Sequence, residues 1–195
     1  MRIRYFYLLM IIALCYGIWT LAFKNDQGVT DTENYQVINS EVSTFKSYKM
    51  NKLSAFEGEF RVLSREDYHT GREAEISPTD LALGWGAMAD PQVYKQLSIR
   101  QSNRWYYWRY ENNPPIPVND IASSSANTHL IPANKVVAKK LADIDADDMV
   151  YLKGQLVEVK STDGWTWRSS LSRTDTGNGA CELMLVEEVR EISSL

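Results

Sequence analysis

Cysteine and histidine are scarce in this sequence, and their scarcity argues against a metal site. The 195 residues contain two cysteines and two histidines. His69 and His129 are sixty residues apart, and no cysteine stands near either of them at the spacing of zinc ligands. The patterns Gly-x-Gly-x-x-Gly and Gly-Lys-Ser/Thr are also missing, so no nucleotide-binding loop is expected. We therefore predict neither a metal nor a cofactor.

The two cysteines also argue against a fold held together by disulfides. Cys15 lies inside an apolar run, residues 5–23, whereas Cys181 lies near the C-terminus. A cysteine in lipid and a cysteine in a soluble body cannot approach to disulfide distance. Cys181 is therefore predicted to be buried, as free cysteines most often are, with a reactive or intermolecularly paired thiol as the alternatives.

An excess of positive charge is missing as well. Beyond residue 23 the chain carries 19 basic and 25 acidic residues, which is a net charge of −6. Affinity for nucleic acid comes largely from neutralised phosphates, so this balance argues against a nucleic-acid partner.

The longest apolar run, residues 5–23, contains no charged residue. As a helix it would reach about 28 Å, which is close to the hydrocarbon thickness of a bilayer. Arg2 and Arg4 precede the run, so the positive-inside bias holds the N-terminus in the cytoplasm. We predict a retained transmembrane anchor at residues 1–23, with a cleaved signal peptide or a lipoprotein signal as alternatives. Each of the three would export the rest of the chain.

The exported part divides into a short linker and one domain. Residues 24–34 are polar and without periodicity, which predicts a flexible tether. Residues 35–195 are predicted to form a single domain, long enough to bury a core. Within it, the spacing of apolar residues at 35–48 favours a short amphipathic helix, with a strand as the alternative. Residues 77–80 (Ser-Pro-Thr-Asp) have the form of a helix start, with proline in the first turn.

Most of the remaining patterns are typical of strands. Two apolar runs around Ser102 and Asn103 predict a hairpin over residues 97–110. The other predicted elements are a strand at 56–63, a helix at 135–144, a strand at 149–159 with a bulge or bend at Gly154, a turn at Asp163-Gly164, and strands at 165–171 and 181–189. We therefore expect an α+β fold, in which a transmembrane helix precedes a β-rich domain with a small OB-like or SH3-like barrel core.

Three groups of residues are candidates for a functional site. The aromatic run at 105–110, with arginine at positions 104 and 109, is typical of a surface that stacks on sugars or bases, or of a strand with one aromatic face in the core. The segment 168–182 combines arginines, hydroxyls and glycines that could hold a carboxylate or a phosphate, or could satisfy one another in a hairpin loop. Cys181 and His129 could form a nucleophilic pair, with Asn127 orienting the ring.

Residues 77–88 (SPTDLALGWGAM), 125–133 (SANTHLIPA) and 167–182 (WRSSLSRTDTGNGACE) resemble an uncharacterised family of bacterial proteins with an N-terminal membrane anchor. The resemblance implies a single-pass protein of the inner membrane, with its N-terminus in the cytoplasm and its C-terminal domain in the periplasm. It implies no activity. These three strings suggest a convergent binding surface made of Trp85, Asn127, His129, Arg168, Arg173 and Asp175, with Cys181 beside it.

The leading interpretation is a membrane-anchored periplasmic domain that binds an envelope protein or peptidoglycan without catalysing a reaction. The first alternative is an envelope hydrolase or transferase that uses Cys181 and His129, or the segment 168–182. The second alternative is a small-ligand sensor, whose apolar pocket would be lined by tryptophans 85, 105 and 165.

Overall fold

The computed structural model of the chain describes residues 35–36, 42–45, 48–172 and 181–192, with side chains from residue 48 onward. The predicted anchor and tether, residues 1–34, lie outside the described residues. Within the described part the longest helix has eight residues. None of the helices there has the length and hydrophobicity that crossing a bilayer requires.

The described residues are mostly β-strand with a few short helices, so the predicted β-rich α+β class is confirmed. The strands are β1 Tyr35–Gln36, β2 Val42–Phe45, β3 Tyr48–Asp67, β4 Thr79–Gly84, β5 Ser98–Ser102, β6 Trp105–Arg109, β7 Ser125–Pro132, β8 Met149–Ser161, β9 Thr166–Arg168 and β10 Glu182–Glu191. The helices are α1 Pro91–Tyr94, α2 Val118–Ser123 and α3 Lys135–Ala142, with 3-10 turns at Glu73–Glu75 and Gly86–Ala89.

The strands of the main sheet are ordered β1-β2-β3-β4-β7-β10-β8-β9, and β8 also pairs with β3. The pairings from β3 through β4, β7, β10 and β8 therefore return to β3. Only the β7–β10 pair is parallel, while the other four pairs of this ring are antiparallel. Strand β3 can serve both neighbours because it is 20 residues long. Its first two thirds pair with β8 and its last third pairs with β4.

Three groups of buried side chains hold this arrangement together. The largest is formed by residues of the five strands in the ring together with Val137, Leu141 and Ile144 in and just after α3. Its fully buried members include Leu81, Leu130, Leu152 and Met184. A second group packs around Val157, Val159, Ile131 and Leu183, and a third around Leu63, Ala82, Met88, Tyr94 and Ile121. The third group lies beneath the β5–β6 hairpin, whose Ile99, Tyr106 and Trp108 pack against it.

The predicted helix start at residues 77–80 is wrong, because this segment leads into β4. All six residues of β4 are buried, since the largest core group covers one face and the hairpin side covers the other. A strand buried on both faces loses the alternation of apolar and polar residues that identifies a strand in a sequence. At the other uncertain segment, residues 35–48, the described positions form β1, β2 and the start of β3, as the alternative predicted.

Most of the local predictions are confirmed. The hairpin at 97–110 corresponds to β5 and β6, and the helix at 135–144 corresponds to α3, which Asn134 caps through its side chain. The turn at Asp163-Gly164 joins β8 to β9 as expected. The return strand is shorter than the predicted 165–171, because only Thr166–Arg168 pairs with β8.

Gly154 is not itself the bulge that the sequence predicts. Strand β8 pairs with β3 without a register shift at this position, and the shift lies in its other neighbour β10, between Val186 and Glu188. A Cβ atom on Gly154 would lie 2.0 Å from the carbonyl oxygen of Leu185. The glycine is therefore required by the close approach of the β10 backbone next to its bulge.

Candidate functional site

A group of polar side chains is buried on the outward face of β4 and β7, beneath the tip of the β5–β6 hairpin. We call it the Asp80 cluster; its members are Asp80, Arg104, Asn127 and His129. Asp80 and His129 face each other as register partners of β4 and β7. The exposed fractions of Asp80 and His129 are 0% and 3%. Such buried ionisable groups require partners, because an unpaired charge in the interior is strongly destabilising.

Asp80 is surrounded by cationic and amide nitrogens. Its Oδ1 accepts a hydrogen bond of 2.7 Å from Nη1 of Arg104. Its Oδ2 accepts a weaker bond of 3.3 Å from Nδ2 of Asn127 and lies 2.9 Å from Nδ1 of His129, without the alignment of a hydrogen bond. Gln101 extends the network, because its Nε2 donates to Oδ1 of Asn127 at 2.6 Å. The negative charge of the Asp80 carboxylate is therefore balanced by Arg104 within the cluster.

Arg104 reaches Asp80 because of the shape of the hairpin tip. Asn103 and Arg104 have φ angles of 52° and 68°, the left-handed pair of a two-residue hairpin turn. The backbone N–H of Arg104 donates to the Tyr68 hydroxyl at 2.9 Å. Its guanidinium lies 3.7 Å from the centroid of the Tyr68 ring and 5.7 Å from that of Trp167. Stacking on aromatic rings suits a planar guanidinium and holds it in place.

Burial and the charge of Asp80 raise the pKa of Tyr68, because both disfavour the phenolate. Tyr68 therefore remains a neutral hydroxyl that can accept the bond from the Arg104 backbone. The same effect is stronger for Tyr106 of the hairpin, where burial raises the pKa to about 12. Tyr68 beneath the hairpin tip and Tyr106 on the inward side of the hairpin therefore both remain uncharged at neutral pH.

Cys181 lies next to the cluster and is partly exposed, so the predicted burial of this residue is wrong. Its Sγ is 3.8 Å from the carbonyl oxygen of Arg104, within the distance of a weak S–H donor. The same carbonyl accepts a bond of 3.1 Å from Nδ2 of Asn127. The carbonyl of Arg104 thus joins both Cys181 and Asn127 to the hairpin turn.

The structure brings together some of the predicted site residues. Asn127 and His129 lie in the cluster, and Cys181 contacts Arg104. His129 is also close to the segment after residue 166, because its ring centroid is 4.8 Å from that of Trp167. Its register partner on β10 is Leu183. The pairing of β7 with β10 thus accounts for the proximity of segments that are about fifty residues apart in sequence.

Other predicted site residues lie elsewhere. Trp85 follows the far end of β4 and packs edge-on against Phe60, with ring centroids 6.1 Å apart. Arg168 is an exposed residue of β9 that pairs with Glu158. Arg173 and Asp175 lie outside the described residues. Of the tryptophans proposed to line a pocket, Trp85 packs on the largest core group and Trp165 on the second.

Glu158 is held by three donors on the sheet surface. Lys160, Asn51 and Arg168 hydrogen-bond to its carboxylate, in this order of effect, and they lower its pKa to about 2. The Arg168 contact measures 3.1 Å and the Asn51 contact 3.2 Å. Arg168 is therefore engaged in a surface ion pair on the sheet and not in the Asp80 cluster.

We expect the pH dependence of folding to report on Glu158. Because its pKa is lower in the folded chain than its usual 4.5, its stabilising effect is complete above that pH and is lost as the pH falls toward 2. Urea unfolding of the wild type and of Glu158→Gln between pH 7 and pH 3 measures this effect. The wild type should lose more free energy of unfolding than the variant on acidification. Parallel pH profiles would contradict the assignment.

Sequence reasoning missed Asp80 and Arg104, which connect the cluster. The sequence pattern places Asp80 in a helix start and Arg104 beside the aromatic run. One signal in the sequence points to Asp80, since it is a lone acidic residue at the head of the apolar run 81–88. An acidic residue in such a position is costly unless a partner reaches it.

The sequence matches no protein-family model and no curated protein. The class of protein that these observations define is therefore a β-rich domain with a buried charged cluster under a hairpin.

Proposed function

We propose that the protein is a membrane-anchored periplasmic binding domain, built on a small OB-type barrel, that holds an envelope partner without transforming it. The observation that carries the proposal is the position of the β5–β6 hairpin. Its tip covers the face of β4 and β7, and its outward side displays arginines and aromatic rings. The anchor at residues 5–23 and the periplasmic location rest on the sequence.

The pairing pattern supports an OB-type barrel. Five strands in chain order, β3, β4, β7, β8 and β10, pair in a ring, and the third and fifth of them are parallel. The helix α3 connects the third strand to the fourth. OB domains are small five-stranded Greek-key barrels that bind oligonucleotides or oligosaccharides on the face of their second and third strands. In this chain the corresponding strands are β4 and β7.

The face of β4 and β7 is occupied by the protein itself. Arg104 from the hairpin tip pairs with Asp80, and Gln101 bonds to Asn127 on the same face. A ligand there would have to displace a buried ion pair, which costs several kcal/mol (about 3–5) when one charge is left without its partner. We therefore assign the Asp80 cluster to fastening the hairpin onto the sheet, and recognition to the outward side of the hairpin.

An envelope hydrolase or transferase has less support. The Sγ of Cys181 lies against a carbonyl oxygen, and His129 is 3% exposed beneath Trp167. A catalytic pair needs its reacting atoms within reach of a substrate. The almost complete burial of the His129 ring and the contact of the partly exposed Cys181 thiol with the hairpin turn are typical of a structural role for these two residues.

Photo-crosslinking in bacterial cells tests the proposed function on the full-length chain. A photoreactive amino acid replaces Tyr107, which is 40% exposed on the hairpin, and separately Val136, which is 66% exposed on α3. We expect a discrete adduct from position 107 that disappears when Arg100 and Arg109 are both replaced by alanine. Position 136 should give no such adduct. Identical adducts from the two positions, or none from position 107, would refute a binding role for the hairpin.

A further inference from the structure

We propose that the outward face of the β5–β6 hairpin binds a sugar polymer that carries carboxylate groups. This inference rests on the proposed function and names the class of ligand for the same surface. We call the surface the hairpin face; it consists of Ser98, Arg100, Ser102, Trp105, Tyr107 and Arg109.

Strand register places these side chains on one side of the hairpin. Arg100 is the partner of Tyr107, Ser98 of Arg109, and Ser102 of Trp105. The pairs between them, Ile99 with Trp108 and Gln101 with Tyr106, point to the opposite side because successive side chains alternate. That opposite side packs into the third core group, so the alternation separates an anchored face from a displayed face.

The hairpin face is positively charged. Residues 98–109 contain three arginines and no acidic residue. Arg104 forms an ion pair with Asp80. Arg100 and Arg109 are exposed and form no ion pair with any residue that the structure describes. The Arg100 guanidinium lies over the ring of Tyr107, 4.4 Å from its centroid. Two such guanidinium groups fit carboxylates, which they bind with paired hydrogen bonds.

The aromatic rings of the hairpin face indicate which kind of molecule carries these carboxylates. Tyr107 is exposed and Trp105 is partly exposed on the same face as the two arginines. Aromatic side chains offer a flat, apolar surface at low cost in conformational entropy, together with a polar group at the ring edge. The face of a sugar ring is apolar, and its rim carries hydroxyls. A flat aromatic surface beside two arginines therefore fits a chain of acidic sugars better than an acidic peptide, which has no ring to stack.

The hairpin face is also rigid before any ligand arrives. Gln101 donates to Asn127, and the Tyr106 hydroxyl lies 3.3 Å from Oγ of Ser125, so both strands are bonded to β7. The Asp80–Arg104 pair fixes the turn between them. A surface that is ordered in advance loses little entropy on binding, and this raises its affinity. The buried cluster would therefore contribute to binding indirectly, by holding the hairpin face in one conformation.

The test is a binding titration on the detergent-solubilised full-length protein, followed by tryptophan fluorescence. The probe is an oligogalacturonate, which carries a carboxylate on every ring, and a neutral dextran of the same length is the comparison. We expect saturable binding of the oligogalacturonate only. Kd should rise about tenfold for Arg100→Ala, for Arg109→Ala and for Tyr107→Ala, and it should rise with ionic strength. All three side chains are exposed, so these variants should fold.

The matched control is Lys139→Ala/Lys140→Ala, which removes two positive charges from the exposed side of α3. Its Kd should equal that of the wild type. Equal weakening by the control, equal binding of dextran, or equally tight binding of polyglutamate or of a thymidine oligonucleotide would each overturn the inference. If no oligosaccharide binds while position 107 still crosslinks to an envelope protein, the sugar ligand is excluded and the proposed binding function stands.

Discussion

Replacing Gly154 with alanine should lower the free energy of unfolding by about 3 kcal/mol or more. The added Cβ would lie 2.0 Å from the carbonyl oxygen of Leu185 and 3.1 Å from the backbone nitrogen of Glu187. Both contacts are with backbone atoms, so relief requires β8 and β10 to separate. Separation would break the ladder between these strands. Urea unfolding of the purified variant, compared with the wild type, measures the loss.

Gly58→Ala is the matched control for this prediction. It makes the same change on β3, and its Cβ would meet the end of the Phe60 ring at 2.9 Å. A side chain can rotate away where a backbone carbonyl cannot, so the control should cost less than about 1.5 kcal/mol. Equal losses for the two variants would show that close approach at the bulge does not explain Gly154.

Replacing Arg104 with methionine should be almost as damaging, with a loss of about 3 kcal/mol. Methionine retains much of the apolar stem but leaves the fully buried carboxylate of Asp80 without its cation. The expected loss reflects that uncompensated charge more than the value of the ion pair itself. Thermal and urea unfolding of the variant at neutral pH give the measurement.

A double-mutant cycle separates the charge from other effects of this change. In Asp80→Asn/Arg104→Met the buried charge is gone, so the double variant should be more stable than Arg104→Met alone. Arg100→Met, an exposed arginine of the same hairpin, should change the free energy of unfolding by less than about 0.5 kcal/mol. Similar losses for Arg104→Met and Arg100→Met would remove Arg104 from its assigned role.

Local elements of this protein could be predicted because their causes are local. The Asn134 cap and the apolar spacing after it define α3, and the turn residues around Asn103 and Gly164 define two hairpins. Strand β8 is recognisable from its β-branched and aromatic residues. These features depend on neighbours a few residues away, and such neighbours are visible in a sequence.

Strand β4 is an element that local sequence patterns do not predict. Its six residues are buried on both faces, so the segment has neither the period of a helix nor the alternation of a half-buried strand. Proline at position 78 then favoured the wrong element. Only the pairing of β4 with β3 and β7 explains why an apolar segment with aspartate at its second position is extended.

The candidate site also has one part that the sequence predicts and another that depends on the tertiary structure. The sequence alone singled out Asn127, His129 and Cys181 through their residue types, and it set the composition and the charge of the hairpin. Only the tertiary structure joined these residues to Asp80 and Arg104, since the register of β4 with β7 and the reach of the hairpin tip are long-range contacts. The third core group likewise determines which side of the hairpin faces outward, because the other side packs on it. A sequence determines its local preferences directly, whereas burial and partnership depend on segments distant in the chain.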